Sequence, residues 1–191
     1  MLKKWMIILV IFTLGGCTLF DQEDKVLTQK MQRYQAYYTS IFDNDRFIDY
    51  SDFYDIEFFL NELPDRTYRY DLIIDNPRIA MYDVEVMIVE NDTDPEDIDK
   101  MMPNAGIFED AEYNLVPFQF NSDKGYRKGI ALSGIVDQPV VTLRVMVAWK
   151  DYAKVNSTRE FFLIQRDFNA PTEIPGDVDN DVDMDDEDET E

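Results

Sequence analysis

Val141, Leu143, Val145, Val147 and Trp149 fall on every second residue, and the positions between them, Thr142, Arg144, Met146, Ala148 and Lys150, are mixed. Side chains along a strand point to opposite faces in turn, so this stretch reads as a strand with one face buried and the other partly exposed. The same period begins near Phe47 and recurs through the chain. Tyr54, Ile56 and Phe58 suggest one strand; Tyr68, Tyr70, Leu72 and Ile74 alternate with Arg69, Asp71 and Ile73 in a second; Tyr82, Val84, Val86 and Ile88 alternate with Asp83, Glu85, Met87 and Val89 in a third. Residues 115–120, 127–134 and 159–165 complete the set. About seven short strands separated by turn residues predict a mainly β fold, an antiparallel β-sandwich of immunoglobulin-like type. The segments at 68–74 and 82–88 are expected to be neighbours. Pro64, Pro77, Pro103, Pro117 and Pro139 fall at segment ends or edges, where a missing backbone donor is tolerated.

Ahead of the strands the period changes to that of a helix. Leu27, Met31, Tyr34, Tyr38 and Ile41 or Phe42 recur at spacings of three and four, with Lys30, Gln32, Arg33 and Gln35 on the other side. Asp43, Asn44 and Asp45 end the pattern. Tyr37 and Tyr38 cannot both sit on a narrow stripe, so Tyr37 is the one expected in solvent, while Trp149 is expected in the core. Between residues 90 and 114 runs a long connection, either a crossing between sheets or a functional insertion, in which Thr93, Asp94 and Pro95 announce a short helix through Met101.

The first seventeen residues have a different character. Lys3 and Lys4 precede an apolar run at 5–14, then Gly15, Gly16 and Cys17. At about 1.5 Å per residue that run covers about 15 Å, half of a bilayer's hydrocarbon core, so it reads as an export signal and not as a span. Leu14-Gly15-Gly16-Cys17 resembles the lipobox of bacterial lipoproteins. The resemblance implies cleavage between Gly16 and Cys17, a diacylglycerol on the Cys17 thiol with a possible further acyl chain, such as palmitate, on its new amino group, and a mature chain tethered to the extracytoplasmic face of the cell membrane. Cys17 is the sole cysteine, so it has no disulfide partner within the chain. The organisation that follows is a signal peptide at 1–16, a lipidated tether and amphipathic helix at 17–45, a β-sandwich domain at 46–168, and a linker with an acidic disordered tail at 169–191.

Composition excludes several chemistries. The 191 residues include no histidine, which removes Ser-His-Asp triads, Cys-His nucleophiles and His-containing zinc sites. Loss of Lys3 and Lys4 takes the basic residues from 18 to 16 against 40 acidic ones, a formal charge of −24. Such a surface repels nucleic acid and anionic lipid alike. Without disulfides the exported domain relies on packing, for which 45% hydrophobic and 14% aromatic residues provide.

Four groups of residues remain as candidates for function. In the tail, Asp177, Asp179, Asp181, Asp183, Asp185 and Asp188 fall at the liganding positions of an EF-hand loop, yet Val182 stands where the turn needs glycine and the last ligand is not glutamate. Like charges at that density favour a solvated coil, and no metal site is expected. Carboxylates are too numerous to single out a hydrolytic pair, and Ser133-Gly134 and Ser157-Thr158 lack a Ser-x-x-Lys frame. Tyr34, Tyr37, Tyr38, Tyr50, Tyr54 and Trp149 offer rings for a core or for a ligand. Arg78, Arg127, Lys128 and Arg144 are the scarce cations for an acidic partner, unless they pair within this acidic chain. The function expected is a non-enzymatic binding or accessory module of the bacterial cell envelope that meets another envelope protein. A glycan- or cation-binding lipoprotein is the first alternative, and a carboxylate-dependent envelope hydrolase the second.

Overall fold

The computed structural model describes residues 17–96 and 100–170, with side chains from residue 23 onward. It is mainly β. Helix α1 (Cys17–Phe42) comes first, followed by β1 (Asp55–Glu62), β2 (Tyr68–Asp75), β3 (Tyr82–Glu90), β4 (Asn104–Ala105), β5 (Asn114–Leu115), β6 (Tyr126–Arg127), β7 (Ile130–Val136), β8 (Val140–Lys150) and β9 (Ser157–Asp167). One antiparallel sheet has the order β1-β2-β7 and the other β4-β3-β8-β9, while β5 and β6 form a small parallel pair.

The alternation read from the sequence sorts the side chains into layers. Tyr70, Leu72 and Ile74 of β2, with Ile130 and Leu132 of β7, share one core with Val84, Val86 and Ile88 of β3, the odd-numbered apolar residues of β8, and Phe162. Trp149 closes that core at one end, as expected, edge-on to Tyr54 at 5.8 Å and Phe53 at 5.7 Å. Part of the opposite face of β3 and of β8 is buried as well. Met87, Val89, Met146 and Ala148 lie beneath Tyr34, Tyr37, Tyr38 and Ile41 of α1. The expectation that β8 is partly exposed on its second face holds at Val140, Thr142, Arg144 and Lys150, while the helix covers Met146 and Ala148 between them.

Tyr37 is a further correction, since it is buried alongside Tyr38. A helix lying on a sheet needs an apolar band wider than a coiled-coil seam, so neighbouring positions both touch the floor. The Tyr37 hydroxyl donates to Glu85, which also receives Arg33 at 2.6 Å, and Arg159 lies over the Tyr37 ring at 4.9 Å. Leu27, placed on the buried stripe by its spacing, is exposed, because α1 has by then run past the end of the sheet.

The segments at 68–74 and 82–88 are not neighbours. Residues 76–81 take the chain from one sheet to the other, held by the Arg78 amide on the Phe53 carbonyl and by the Met81–Leu115 bridge. This link is longer than a tight hairpin turn and carries β3 across the core. Of residues 115–120 only Leu115 is in a strand, because Val116 and Pro117 begin a turn. The single strand expected at 127–134 is broken at Lys128-Gly129 into β6 and β7. Neither 91–96 nor 100–103 is helical, and residues 97–99 of the helix expected there lie outside the described residues.

Burial has an electrostatic consequence. Exclusion from water pushes the Tyr37 and Tyr38 phenols up to about 12 and raises those of Tyr34, Tyr54 and Tyr70. The unfolded chain loses these protons from its ordinary tyrosine value of about 10 upward, before the folded chain does. Stability should hold steady up to about pH 9, then fall as pH rises from about 10 through about 12. Urea midpoints measured across that range, beside tyrosinate absorbance, check this; tyrosines ionising near 10 with an unmoved midpoint would refute it.

Candidate functional site

The start of helix α1 and the most exposed apolar side chains share one end of the domain. Strand register defines that end. Tyr82 pairs with Lys150, and Lys150 with Ser157, at one extremity of the four-stranded sheet. The short link from Asp75 to Tyr82 brings the Asp55–Asp75 extremity of the other sheet to the same end. The far end holds the turns at 63–67 and 137–139, where Phe168 packs on Tyr68.

Helix α1 runs between the two ends. At the far end its last turn is held by Arg144, which donates to the carbonyls of Phe42 and Asn44, pairs with Asp92 and lies over the Phe47 ring. A cation there meets the negative pole of the helix and its unpaired carbonyls. Midway, Arg33 and Tyr37 reach Glu85, and one turn earlier Lys30 donates to the Phe108 carbonyl and pairs with Asp110 at 2.7 Å. From Lys30 back to Cys17 the helix extends about 20 Å more at 1.5 Å per residue. Only about 10 Å of strand remains between Glu85 and Tyr82. The first residues of α1 therefore overhang the sheets, with residues 23–29 exposed, and Cys17 stands at the tip. Gly16 and the tail aspartates, Asp177 through Asp188, lie outside the described residues.

At that end Val116, Pro117, Phe118 and Gln119 form a turn closed by the Gln119 amide on the Val116 carbonyl at 3.1 Å. Proline at the second position and a positive φ at the third are the marks of a type II turn, which favours glycine third. Here that residue is Phe118, at φ 61°, and its side chain is fully exposed. A bulky residue in the left-handed region is strained, and this one gains no packing in return. Phe118 and Phe120 rim a cavity of about 470 Å³ whose wall includes Asp75, Arg127 and Lys128. Within these wall residues Arg127 Nε and Asp75 Oδ1 are buried without a hydrogen-bond partner. Charged residues thus contribute to the wall of a recess with an aromatic rim.

The cations singled out in the sequence divide. Arg78 is taken by Asp55, and Arg144 by the end of α1. Arg127 lies over the Tyr113 ring at 5.1 Å and Lys128 over Phe120 at 5.2 Å, so these two border the recess. Of the hydroxyls, Ser133 donates to Asp71, whose other partner is Arg69, and no lysine enters that group. Among the described residues no cluster of three carboxylates is placed to hold a metal, and no helix is long and apolar enough to cross a membrane.

No protein-family model, curated protein or solved structure matches this chain. Phe118 was missed from the sequence because Val-Pro-Phe-Gln reads as the edge of a strand. The signal available was Pro117, whose place at the second position of a turn leaves the next residue to carry the unusual backbone.

Proposed function

We propose that this chain is a bacterial lipoprotein, exported and held by lipid on Cys17 to the outer face of the cell membrane, where its β domain acts as a non-enzymatic binding or accessory module. The observation that carries this reading is the continuity of lipobox and fold: Leu14-Gly15-Gly16-Cys17 runs straight into a helix that starts at Cys17 and is packed into the domain. The tether then fixes how the domain stands, instead of letting it swing on a flexible leash. An immunoglobulin-like sandwich is the domain we favour. In the lettering of that fold β1, β2 and β7 take the places of strands A, B and E, and β3, β8 and β9 those of C, F and G, with β4 beside C.

Such modules bind through end loops and open edges. The far-end turns at 63–67 and 137–139 face away from the anchor, and with the outer edge of β1 along the side they are the surfaces on which an envelope protein would be met. The test is expression of the full chain with its own signal in a bacterium fed an alkyne-tagged fatty acid. Wild-type protein should carry the tag, pellet with membranes and cross-link to a reproducible partner; Cys17→Ala should lose all three. A Cys17→Ala protein that remains tagged and membrane-bound would refute the lipoprotein reading, and wild-type protein without a partner above background would refute the stable complex.

A further inference from the structure

We propose that the anchor-side end of the domain is a bilayer-contacting surface, in which Phe118 and Phe120 enter the lipid interface. The inference rests on Cys17 being the lipid anchor, and goes beyond it by giving the folded domain its own contact with the membrane.

Position, exposure and strain converge on this end. The overhang of α1 brings Cys17 past the same extremity of the sheets that bears the Phe118 turn, so a bilayer holding Cys17 lies on this side of the domain. Among the described residues five large apolar side chains are at least 60% exposed: Tyr50, Phe118, Phe120, Tyr152 and Val155. Four of the five are at this end. Tyr152 and Val155, at 83% and 79%, belong to the turn between β8 and β9, where Tyr152 packs edge-on against Tyr82 at 5.8 Å. Aromatic rings with one wet side are the side chains that settle at the headgroup level, and an apolar tip gains nothing in water. The left-handed backbone of Phe118 keeps its ring off the domain at a cost that water does not repay.

Charge decides the kind of lipid. Arg78 is neutralised by Asp55, Lys154 by Asp83 and Glu112, and Lys150 also faces Asp83. Arg127 and Lys128 share the recess wall with Asp75, and Lys124 follows Asp123, in a chain whose formal net charge is −22. No cationic field draws this end to anionic lipid, so the contact is apolar and zwitterionic phosphatidylcholine suffices. The anchor already supplies affinity. What a second contact adds is orientation, with the 63–67 and 137–139 turns aimed away from the membrane.

The test uses the lipidated full chain reconstituted in phosphatidylcholine vesicles, with and without bromine on the acyl chains, comparing Phe118→Trp with Val140→Trp, which marks the far end. After subtraction of the Trp149 signal, brominated lipid should at least halve the emission of the tryptophan at 118 and leave that at 140 unchanged, with no increase when phosphatidylglycerol is added. Equal emission at 118 in both vesicles, from chains that float with them, overturns the contact and leaves the lipoprotein reading standing. Chains that do not float overturn both. A blue shift at 118 that follows protein concentration and ignores bromine assigns the surface to a second copy and overturns the proposal. Phe118→Gly adds an independent readout: relief of the strained turn should keep or raise Tm, whereas a fall in Tm would show that Phe118 serves the fold and would count against the proposal.

Discussion

Gly134→Ala should destabilise the domain by about 3 kcal/mol, the scale of overpacking combined with the loss of a buried polar contact. A methyl group at Gly134 would collide with Glu90 Oε1 and the Tyr70 hydroxyl, and would lie 2.5 Å from Tyr70 Cε1. Neither neighbour can give way cheaply. Tyr70 is fully buried and stacked on Phe58 at 6.2 Å between centroids, and its hydroxyl donates to Glu90 at 2.5 Å. Glu90, 3% exposed, meets Lys100 at 2.5 Å through its other oxygen. Pushing the ring aside withdraws a donor from an enclosed carboxylate, and a buried polar group left short of partners costs about 1–3 kcal/mol. Tyr70→Phe should cost about 1–2 kcal/mol alone for the same reason. Because it also removes one of the colliding atoms, the double variant should be more stable than the two losses added together, by about 1 kcal/mol. Urea denaturation of the four proteins measures this; strict additivity would mean that the crowding at Gly134 does not run through the Tyr70 hydroxyl.

The strands of the two sheets were legible because alternation is a local signal. β2, β3, β8 and β9 lie within a residue or two of where period two placed them. Pairing was less legible, since nothing within 68–88 states that the Asp75–Tyr82 link crosses the core; that follows from Arg78 and Met81 finding partners on Phe53 and Leu115. The burial of Met146 and Ala148 on the second face of β8 was hidden for a related reason. Met146 and Ala148 look like a half-exposed face until a helix more than a hundred residues earlier is laid over them. The candidate site was legible only in part. Cys17 stands out through its neighbours, whereas Phe118 becomes notable once its backbone and exposure are both known, and neither is written in a Val-Pro-Phe-Gln run. Arg144 shows the converse: scarce cations in an acidic chain suggest an external partner, and the fold uses this one to hold the end of α1.

The two halves of α1 should respond to mutation in opposite ways. Tyr38→Ala removes a ring that is 2% exposed, sits among Met87, Val89 and Met146, and donates its hydroxyl to the Thr93 carbonyl at 2.8 Å. A buried aromatic truncated to alanine costs about 3–5 kcal/mol, and the orphaned carbonyl adds to it. Leu27→Ala, eleven residues earlier on the same helix, alters a side chain that is 56% exposed on the overhang and should change stability by no more than about 0.5 kcal/mol. Urea denaturation compares the pair directly. A helix that served merely as a leash would give small and equal effects at both sites, and that result would remove the structural basis for an anchor that orients the domain. The expected inequality has a mechanical meaning. From Lys30 onward α1 belongs to the core of the domain, so force or tilt applied at Cys17 would reach the sheets through Arg33, Tyr37 and Glu85, and on the proposed lipoprotein reading the helix ahead of Lys30 is a short stalk whose length sets how close the Phe118 turn can come to the membrane.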